Sequence, residues 1–323
     1  MSSTVRHARL KPSSQDTWHH CYNRAVGTRA DRPFDNADKE QFVRILHRVA
    51  GLYAVRIVAY QVMSNHFHLL LQAPAEPLSE ADTIRRYTAF HYEKRTLLPG
   101  SKSCLEWQGR LRDVSWCMRH LQHLYSAWYN RSRPVRRRGP LWAGRFKNTV
   151  LEDGVALWAC WTYIERNPVR AGMVEDAADY RFCSYGAWMQ TSRHPFAGAL
   201  SDHLIPSLPA PLHAMSAAAI RGELGKALAH SEAEKATESA EQTAEDDSVV
   251  EITAPVFTLA AGRRVRHWVD GLVIGSELFV RDTLRRCRPE VPVDKHRLAR
   301  TPAPAGSKVP CICCWRRLRV MQD

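Results

Sequence analysis

The stretch from Val55 to Gln72 reads VRIVAYQVMSNHFHLLLQ, and it decides what fold the chain can adopt. Two runs rich in β-branched and aliphatic residues flank Met63-Ser64-Asn65, a pattern typical of a β-hairpin. Because side chains alternate along a strand, His66 and His68 are expected to share one face of the second strand, with Phe67 on the other. The stretch therefore predicts a hairpin that carries two imidazoles on one side.

Periodic segments surround this hairpin. Strands are expected at Trp18 to Val26, Val55 to Val62 and His66 to Gln72, and helices at Asn36 to Leu52, Val114 to Trp128 and Val155 to about Asn167. The order strand, helix, strand, strand, helix predicts an α+β fold with a mostly antiparallel sheet and helices packed on one face of it.

The composition describes a folded, basic protein. The 323 residues are 45% hydrophobic, which is enough for one large or two small cores. There are 46 Lys and Arg against 33 Asp and Glu, so the net charge is +13 and the partner is expected to be an anionic polymer. Residues 231–251 carry eight acidic residues and one Lys, a pattern typical of a solvated linker or a loose helix.

These shifts in composition predict three parts. Residues 1–192 form the main domain, residues 193–254 form a Pro-rich and then acidic linker region, and residues 255–323 form a small basic C-terminal module of unknown role. No apolar signal segment or membrane-length apolar run is present, so a cytoplasmic location without a membrane partner is expected.

The nine cysteines indicate buried thiols rather than a disulfide framework, since most are single and scattered. Cys311-Ile312-Cys313-Cys314 could bind a metal, but no second Cys or His pair at zinc-finger spacing accompanies it. A zinc site there is disfavoured.

The pair His66 and His68 has two interpretations from spacing alone: a chelating pair for a metal, or two histidines on a polar sheet face. A hydrolytic zinc site of the pattern His-x-His-x-Asp-His is disfavoured, because Leu70 and Leu71 stand where Asp and His would be needed. A metal bound by this pair would need a further ligand from elsewhere in the chain.

Tyr163 and Asn167 are four residues apart on the third predicted helix and so share a face. Pro168 favours a helix end beside them. Without further context, the spacing favours a packed aromatic residue at Tyr163 and a residue that shapes the turn at Asn167.

Two segments together resemble a known family. VMSNHFHLLL at 62–71 and YIERNPVRAG at 163–172 resemble the signature pair of the single-tyrosine HUH (IS200-like) transposases, most closely the REP-associated tyrosine transposase branch. Further segments similar to that branch are WYNR at 128–131, GPLWAGRFK at 139–147 and DYRFCSY at 179–185. The resemblance covers about residues 15 to 190.

The resemblance implies a ferredoxin-like HUH nuclease fold and a metal-dependent endonuclease and strand transferase that acts on single-stranded DNA, often a hairpin from a palindromic repeat. It implies that His66 and His68 bind Mg²⁺ or Mn²⁺, that Asn167 is a third polar ligand, and that Tyr163 is the nucleophile. The product would be a 5′-phosphotyrosyl enzyme with a free 3′-hydroxyl. A monomer or a homodimer is expected.

A basic segment between the two signatures is the expected DNA contact. Guanidinium groups suit phosphates, and neighbouring aromatic rings can stack on unpaired bases, although basic runs are often only solvated surface. The expected DNA-binding residues are Arg131, Arg133, Arg136, Arg137, Arg138, Arg145 and Lys147.

Two other functions are compatible with the same residues. One is a catalytically silent, domesticated protein that binds single-stranded nucleic acid. The other is a metal-dependent hydrolase that uses water as nucleophile and would tolerate Tyr163→Phe. The segment Trp268 to Val280 resembles a segment of longer members of the family, and its role is unknown.

Overall fold

The computed structural model describes residues 10, 15–28, 30–240, 268, 271–287, 298–301 and 312–316. Within these residues, seven strands form one sheet in the order β2-β3-β1-β4-β5-β7-β6. The strands are β1 (Thr17–Arg24), β2 (Arg56–Val62), β3 (His66–Ala73), β4 (Lys147–Leu151), β5 (Gly271–Gly275), β6 (Leu298–Thr301) and β7 (Ile312–Arg316). Neighbouring strands are antiparallel except for the parallel pair β4 and β5.

The predicted hairpin is confirmed. Strands β2 and β3 pair antiparallel, with Val62 opposite Phe67. The turn is closed by the Met63 amide, which donates to the His66 carbonyl at 2.8 Å. Strand β1 then pairs along the whole of β3. The hairpin therefore lies at one edge of the sheet, with β2 as the outermost strand and β1 as the next strand after β3.

The described residues also form ten α-helices. They are α1 (Asn36–Leu52), α2 (Glu80–Phe90), α3 (Lys102–Leu111), α4 (Val114–Arg131), α5 (Val155–Glu165), α6 (Asn167–Arg170), α7 (Ser184–Thr191), α8 (Ala197–Ala199), α9 (Ala217–Ala240) and α10 (Glu277–Cys287). Helix α1 begins as predicted, because Asp35 and Asp38 form a reciprocal capping box at its first turn. A membrane-crossing helix, which must be both long and apolar, is not found in the described part of the chain.

The α+β class holds, but the expectation that helices pack on one face of the sheet is wrong. Phe42 of α1 contacts Phe67 of β3, with ring centroids 4.8 Å apart. Tyr163 of α5 contacts the next residue, His68, with centroids 5.7 Å apart. Successive side chains of a strand point to opposite faces, so α1 and α5 cover opposite sides. Strand β3 is buried along nearly its whole length, and both of its faces therefore need a cover.

Helix α5 has apolar residues on all sides, and it is enclosed by the protein on more than one side. Every residue from Ala156 to Glu165 is buried, which is typical of a helix inside the core. It begins after Gly154, whose φ of 77° is a conformation that glycine adopts without strain. The sheet lies on one side of α5, and α9 contributes Ile220 and Leu224 to the same core.

Part of the region expected to be a linker is therefore packed. The stretch from 193 to 228 contributes buried apolar side chains to the main core, namely Leu200, Leu204, Ile205, Leu208, Leu212, Ile220, Leu224, Ala227 and Leu228. The prolines do not mark a linker here, because a proline such as Pro206 fits within the first turn of the short helix Ile205–Ser207 without taking the chain away from the core. Helix α9 continues to Ala240, so the first half of the acidic segment is helical, and residues 241–251 lie outside the described residues.

The C-terminal region adds its strands to the same sheet. Strand β5 pairs with β4, and the Glu152 amide donates to the Ile274 carbonyl at 3.0 Å. Ser276, which precedes α10, donates from its hydroxyl to the Glu152 carboxylate at 2.8 Å. The side chains of Val280 and Leu284 on α10 pack over this junction in a second small core.

Most cysteines of the described residues agree with the expectation of buried thiols. Cys21, Cys104, Cys117, Cys160 and Cys183 are buried thiols outside any disulfide, as expected, and Cys287 is half-buried. Cys313 and Cys314 lie on β7, and Cys311 is outside the described residues.

Candidate functional site

Strand register brings three histidines to one face of the sheet. His68 of β3 lies opposite Tyr22 of β1, and Leu70 lies opposite His20. Residues directly opposite each other share a face, and positions two apart along one strand do too. His20, His66 and His68 are therefore on the same side of the β1 and β3 pair.

His20 is joined to His68 by a direct hydrogen bond. The two rings are nearly parallel, at 10°, and His20 Nε2 lies 2.8 Å from His68 Nδ1. On its other side, His20 Nδ1 lies 3.0 Å from the carbonyl oxygen of Trp268. His20 therefore connects the histidine pair of the hairpin to the C-terminal region.

Helix α5 places Tyr163 over these rings. The phenol ring centroid lies 5.7 Å from that of His68 and 6.0 Å from that of His20, edge-on in both cases. The side chain is 3% exposed. The structure thus brings the two predicted signatures, about a hundred residues apart in the chain, into one cluster.

A second phenol belongs to the same face. Tyr22 of β1 has its ring centroid 4.8 Å from that of His68 and 5.6 Å from that of His66. Tyr22 is half-buried, whereas Tyr163 is buried. Two tyrosines are therefore near the histidine pair, and proximity alone does not distinguish them.

Tyr163 has a cationic partner. The Arg170 guanidinium lies over the ring, 4.8 Å from the phenol centroid. Burial raises the pKa of Tyr163 to about 12, and Arg170 opposes that increase. With this pKa, the buried Tyr163 phenol is ionised to only about one part in 10⁵ at neutral pH, so it needs positive charge nearby to act as a nucleophile.

The three histidines are held neutral. Burial lowers the pKa of His20 and of His66 to about 4, and it lowers the pKa of His68 well below its usual range. At His66, the guanidinium groups of Arg24, Arg32 and Arg170 lower the pKa further. Neutral imidazole is the form that binds a metal ion.

The geometry of His66 and His68 fits one shared ion. Their ring centroids lie 5.2 Å apart with the planes at 85°. Two imidazoles that each bind one ion at about 2.1 Å have centroids about 5 Å apart. His66 Nδ1 contacts Asn65 Oδ1 at 2.6 Å and must donate to it, since an amide oxygen only accepts, so Nε2 is the ring atom with a lone pair to offer.

A closed cage of protein ligands is not formed. No group of three or more His, Cys, Asp or Glu side chains suited to a metal ion occurs among the described residues. His20 does not add a third ligand because its Nε2 is bonded to His68. Two imidazoles by their softness favour Mn²⁺ or Zn²⁺ over Mg²⁺, and the remaining coordination positions would be left to water and substrate oxygens.

Asn167, the first residue of α6, is bonded to the last turn of α5. Its Nδ2 donates to the carbonyls of Tyr163 at 3.0 Å and Ile164 at 3.2 Å. Asn167 Oδ1 is therefore the atom left for a ligand role. The hydrogen bonds that the structure gives for the Asn167 side chain are with α5 rather than with His66 or His68.

The position of α5 is set by a buried carboxylate. Glu165, at its last turn, accepts hydrogen bonds from the Ser184 hydroxyl, from the Tyr185 amide at 3.0 Å and from Trp161 Nε1 at 3.1 Å. Burial raises the pKa of Glu165 to about 7, although these donors oppose the increase. The carboxylate thus ties the end of α5 to the start of α7.

The predicted DNA-binding residues separate into two groups. Arg133 is an internal partner, since it pairs with the buried carboxylate of Asp38 and lies 4.0 Å from the Tyr129 ring centroid. Arg137 donates to the Asn130 side chain at 3.0 Å and to the Pro140 carbonyl at 2.9 Å. The exposed members are Arg131, Arg136, Arg138, Arg145 and Lys147.

Lys147 is the member closest to the histidine cluster by register. It begins β4 and lies opposite Tyr22 of β1. It therefore shares the face that carries His66 and His68, and its side chain is exposed at the start of β4.

Five residues of this cluster were not predicted from the sequence: His20, Tyr22, Arg24, Arg170 and Trp268. Alternation along β1 could have placed His20 and Arg24 on one face, but only the pairing with β3 shows which face that is. Arg170 is three positions beyond the predicted helix end near Asn167, and Trp268 joins the site from about a hundred residues further along the chain.

No protein-family model and no curated protein sequence matches this chain. Among solved structures, the chain is similar to a REP-associated tyrosine transposase bound to a REP hairpin, with 15% sequence identity and a TM-score of 0.39. The similarity covers 60% of this chain and 90% of that one. It is a distant likeness between the two structures.

Proposed function

We propose that this protein is a metal-dependent, single-stranded DNA endonuclease and strand transferase that cleaves DNA through a 5′-phosphotyrosine on Tyr163. The observation that carries the proposal is the convergence of the two signatures: Tyr163 lies 5.7 Å from His68, ring to ring, on the face that also carries His66. We further propose that β2, β3, β1 and β4 form the HUH nuclease sheet and that hairpins of palindromic repeats are the substrate.

In the proposed reaction, the phenol oxygen of Tyr163 attacks the phosphorus of a phosphodiester and the bond from phosphorus to O3′ breaks. The phenol proton leaves to solvent, and the departing O3′ takes one up. The products are a 5′-phosphotyrosyl enzyme and a free 3′-hydroxyl. Since one phosphodiester replaces another, the step is reversible and can join strands.

Several residues of the chain would support this step. Arg170 would stabilise the phenolate because its positive charge lies 4.8 Å from the centroid of the Tyr163 ring. Arg24 lies opposite His66 on the same face, where it can contact a phosphate. A divalent cation held by His66 and His68, with Asn167 Oδ1 as a further ligand, would polarise the non-bridging oxygens of the scissile phosphate.

The test is covalent capture. The full-length protein is incubated with a pool of labelled single-stranded DNA hairpins and Mn²⁺ or Mg²⁺, and the products are separated on a denaturing gel. We expect a covalent protein–DNA species that is lost in Tyr163→Phe and in His66→Ala. Tyr22→Phe is the matched control, since it removes the other phenol of the cluster and should leave the adduct in place.

Each rival function gives a different pattern on the same gel. A silent binding protein retains the hairpins under native conditions and forms neither product. A hydrolase that uses water cleaves the DNA without a covalent species and keeps its activity in Tyr163→Phe. An adduct that is lost in Tyr22→Phe and kept in Tyr163→Phe would overturn the assignment of the nucleophile.

A further inference from the structure

His20 lies between two groups whose hydrogen-bonding roles can be worked out. Its Nδ1 lies 3.0 Å from the carbonyl oxygen of Trp268. A carbonyl oxygen only accepts, so Nδ1 of His20 must carry the hydrogen. The contact with Trp268 therefore selects one of the two tautomers of the His20 ring.

This tautomer determines which nitrogen of the neighbouring His68 ring carries the hydrogen. A neutral imidazole with its hydrogen on Nδ1 has its lone pair on Nε2. His20 Nε2, 2.8 Å from His68 Nδ1, is then the acceptor, and His68 Nδ1 is the donor. His68 consequently has its own lone pair on Nε2.

The neutral form of His20 agrees with its surroundings. The side chain is 1% exposed, and a charged ring there would lose its hydration. The Trp268 carbonyl and the neutral His68 ring supply one acceptor and one donor, which is the full requirement of a neutral imidazole.

We propose that His20 is a positioning residue for the metal centre, which fixes the ring orientation and the tautomer of His68 so that His68 Nε2 is presented to the cation. The inference rests on the proposed function, in which His66 and His68 hold that cation. His20 itself does not touch the ion. Partners of this kind, which bond the second nitrogen of a metal-binding histidine, contribute to metal affinity.

A similar arrangement at His66 supports the assignment of Nδ1 to a neighbouring residue and of Nε2 to the metal ion. Asn65 Oδ1 accepts from His66 Nδ1 at 2.6 Å, which likewise leaves Nε2 as the ligand atom. Each histidine of the pair thus has one nitrogen bonded to a neighbour and the other available. For His66 the neighbour adjoins it in sequence, whereas for His68 it lies on another strand.

The first test is metal binding by the full-length protein, measured by calorimetric titration with Mn²⁺ in the absence of DNA. His20→Phe keeps an aromatic ring but removes both hydrogen bonds, and we expect its affinity to fall by about 10- to 100-fold. His20→Gln retains one acceptor and one donor at similar spacing and should recover most of that loss.

His19→Phe is the matched control. His19 is the adjacent residue of β1 and equally buried, but it faces the other side of the sheet and bonds to Asn148 at 3.1 Å. It should bind Mn²⁺ as the wild type does. A His20→Phe protein that also binds Mn²⁺ with wild-type affinity would overturn the proposal.

A second measurement needs no variant of His20 and so decides the question even if His20→Phe does not fold. Long-range ¹H–¹⁵N spectra of the histidine-labelled wild type, with His68 assigned through His68→Gln, report the tautomer of the ring. We expect hydrogen on Nδ1 before Zn²⁺ is added and a shift of the Nε2 signal afterwards. Hydrogen on Nε2 in the metal-free protein contradicts the inference.

The outcomes separate this inference from the proposed function. If wild-type Mn²⁺ binding is lost in His66→Ala and in His68→Ala but unchanged in His20→Phe, the inference fails and the metal site stands. If wild-type protein binds no Mn²⁺, or if His68→Ala binds it normally, the metal site fails and the role of His20 fails with it.

Discussion

The indole ring of Trp268 lies against the phenol ring of Tyr163, with their centroids 5.4 Å apart and their planes 26° from parallel. This contact joins the C-terminal region to the residue proposed as the nucleophile. Trp268 is itself buried in the main core. It therefore contributes to the low exposure of Tyr163 and to the burial that raises its pKa.

Trp268→Ala is expected to make Tyr163 accessible. Because burial is the main cause of the raised pKa of Tyr163, water that enters the vacated space should bring that pKa down from about 12 towards its usual value near 10. Nitration of the peptide that contains Tyr163, followed by mass spectrometry, should be faster in the variant than in the wild type.

Trp188→Ala is the control for this experiment. Trp188 is buried to the same degree, at 4% exposure, but it packs against His194 rather than Tyr163. Its replacement should leave the nitration of Tyr163 unchanged. Equal rates in Trp268→Ala and in the wild type, with both folded, would mean that Trp268 does not shield the phenol.

Arg133→Ala is expected to destabilise the fold. The variant leaves the carboxylate of Asp38, which is 1% exposed, without its cationic partner in the first turn of α1. Removing one member of a buried pair costs about 3 kcal/mol or more in unfolding free energy. Chemical denaturation measures the loss, and Arg181→Ala, at a more exposed pair with Glu40, should cost less than about 1 kcal/mol. Similar losses in both variants would count against an internal role for Arg133.

Arg136→Ala is expected to weaken DNA binding without loss of stability. Arg136 is exposed, so its replacement leaves no buried group without a partner. If it contacts a phosphate, the slope of log affinity against log salt should decrease by about one. Fluorescence anisotropy with a single-stranded hairpin at several salt concentrations measures this slope. An unchanged slope would remove Arg136 from the DNA-contacting surface.

Glu165 is expected to make stability depend on pH. Its pKa is raised from 4.5 to about 7 in the folded protein, so between these pH values the folded state binds more protons than the unfolded state. The stability of the wild type relative to Glu165→Gln should therefore fall as the pH rises through this window, by about 3 kcal/mol in total, and level off above it. Urea denaturation at pH 5, 6, 7 and 8 tests this, and a difference that is constant or grows with pH would contradict the shift.

Local patterns predicted the elements that depend on local physics. Helix α1 has the predicted bounds, Asn36–Leu52, because its apolar positions recur with helical spacing and Asp35 supplies the cap. The hairpin of β2 and β3 was predicted from its two apolar runs and the turn between them. The shared face of His66 and His68 follows from alternation alone.

Predictions that depended on contacts between distant segments were less accurate than those that depended on local patterns. The helices cover both faces of the sheet, and the prolines between 195 and 211 lie within a packed region instead of a linker. Arg133 and Arg137 have the same chemistry as their exposed neighbours in the basic run, so composition could not separate internal partners from surface charge.

By itself, the sequence determined a hairpin with two histidines on one face, an apolar helix carrying Tyr163, and a strongly basic chain, because periodicity and charge are properties of neighbouring residues. Only the tertiary structure decided which residues surround the histidine pair. His20 reaches His68 across 48 positions, and Trp268 reaches His20 across 248. Such contacts depend on strand register and on where distant segments dock, and those arise from the packing of the whole core, which no local pattern encodes.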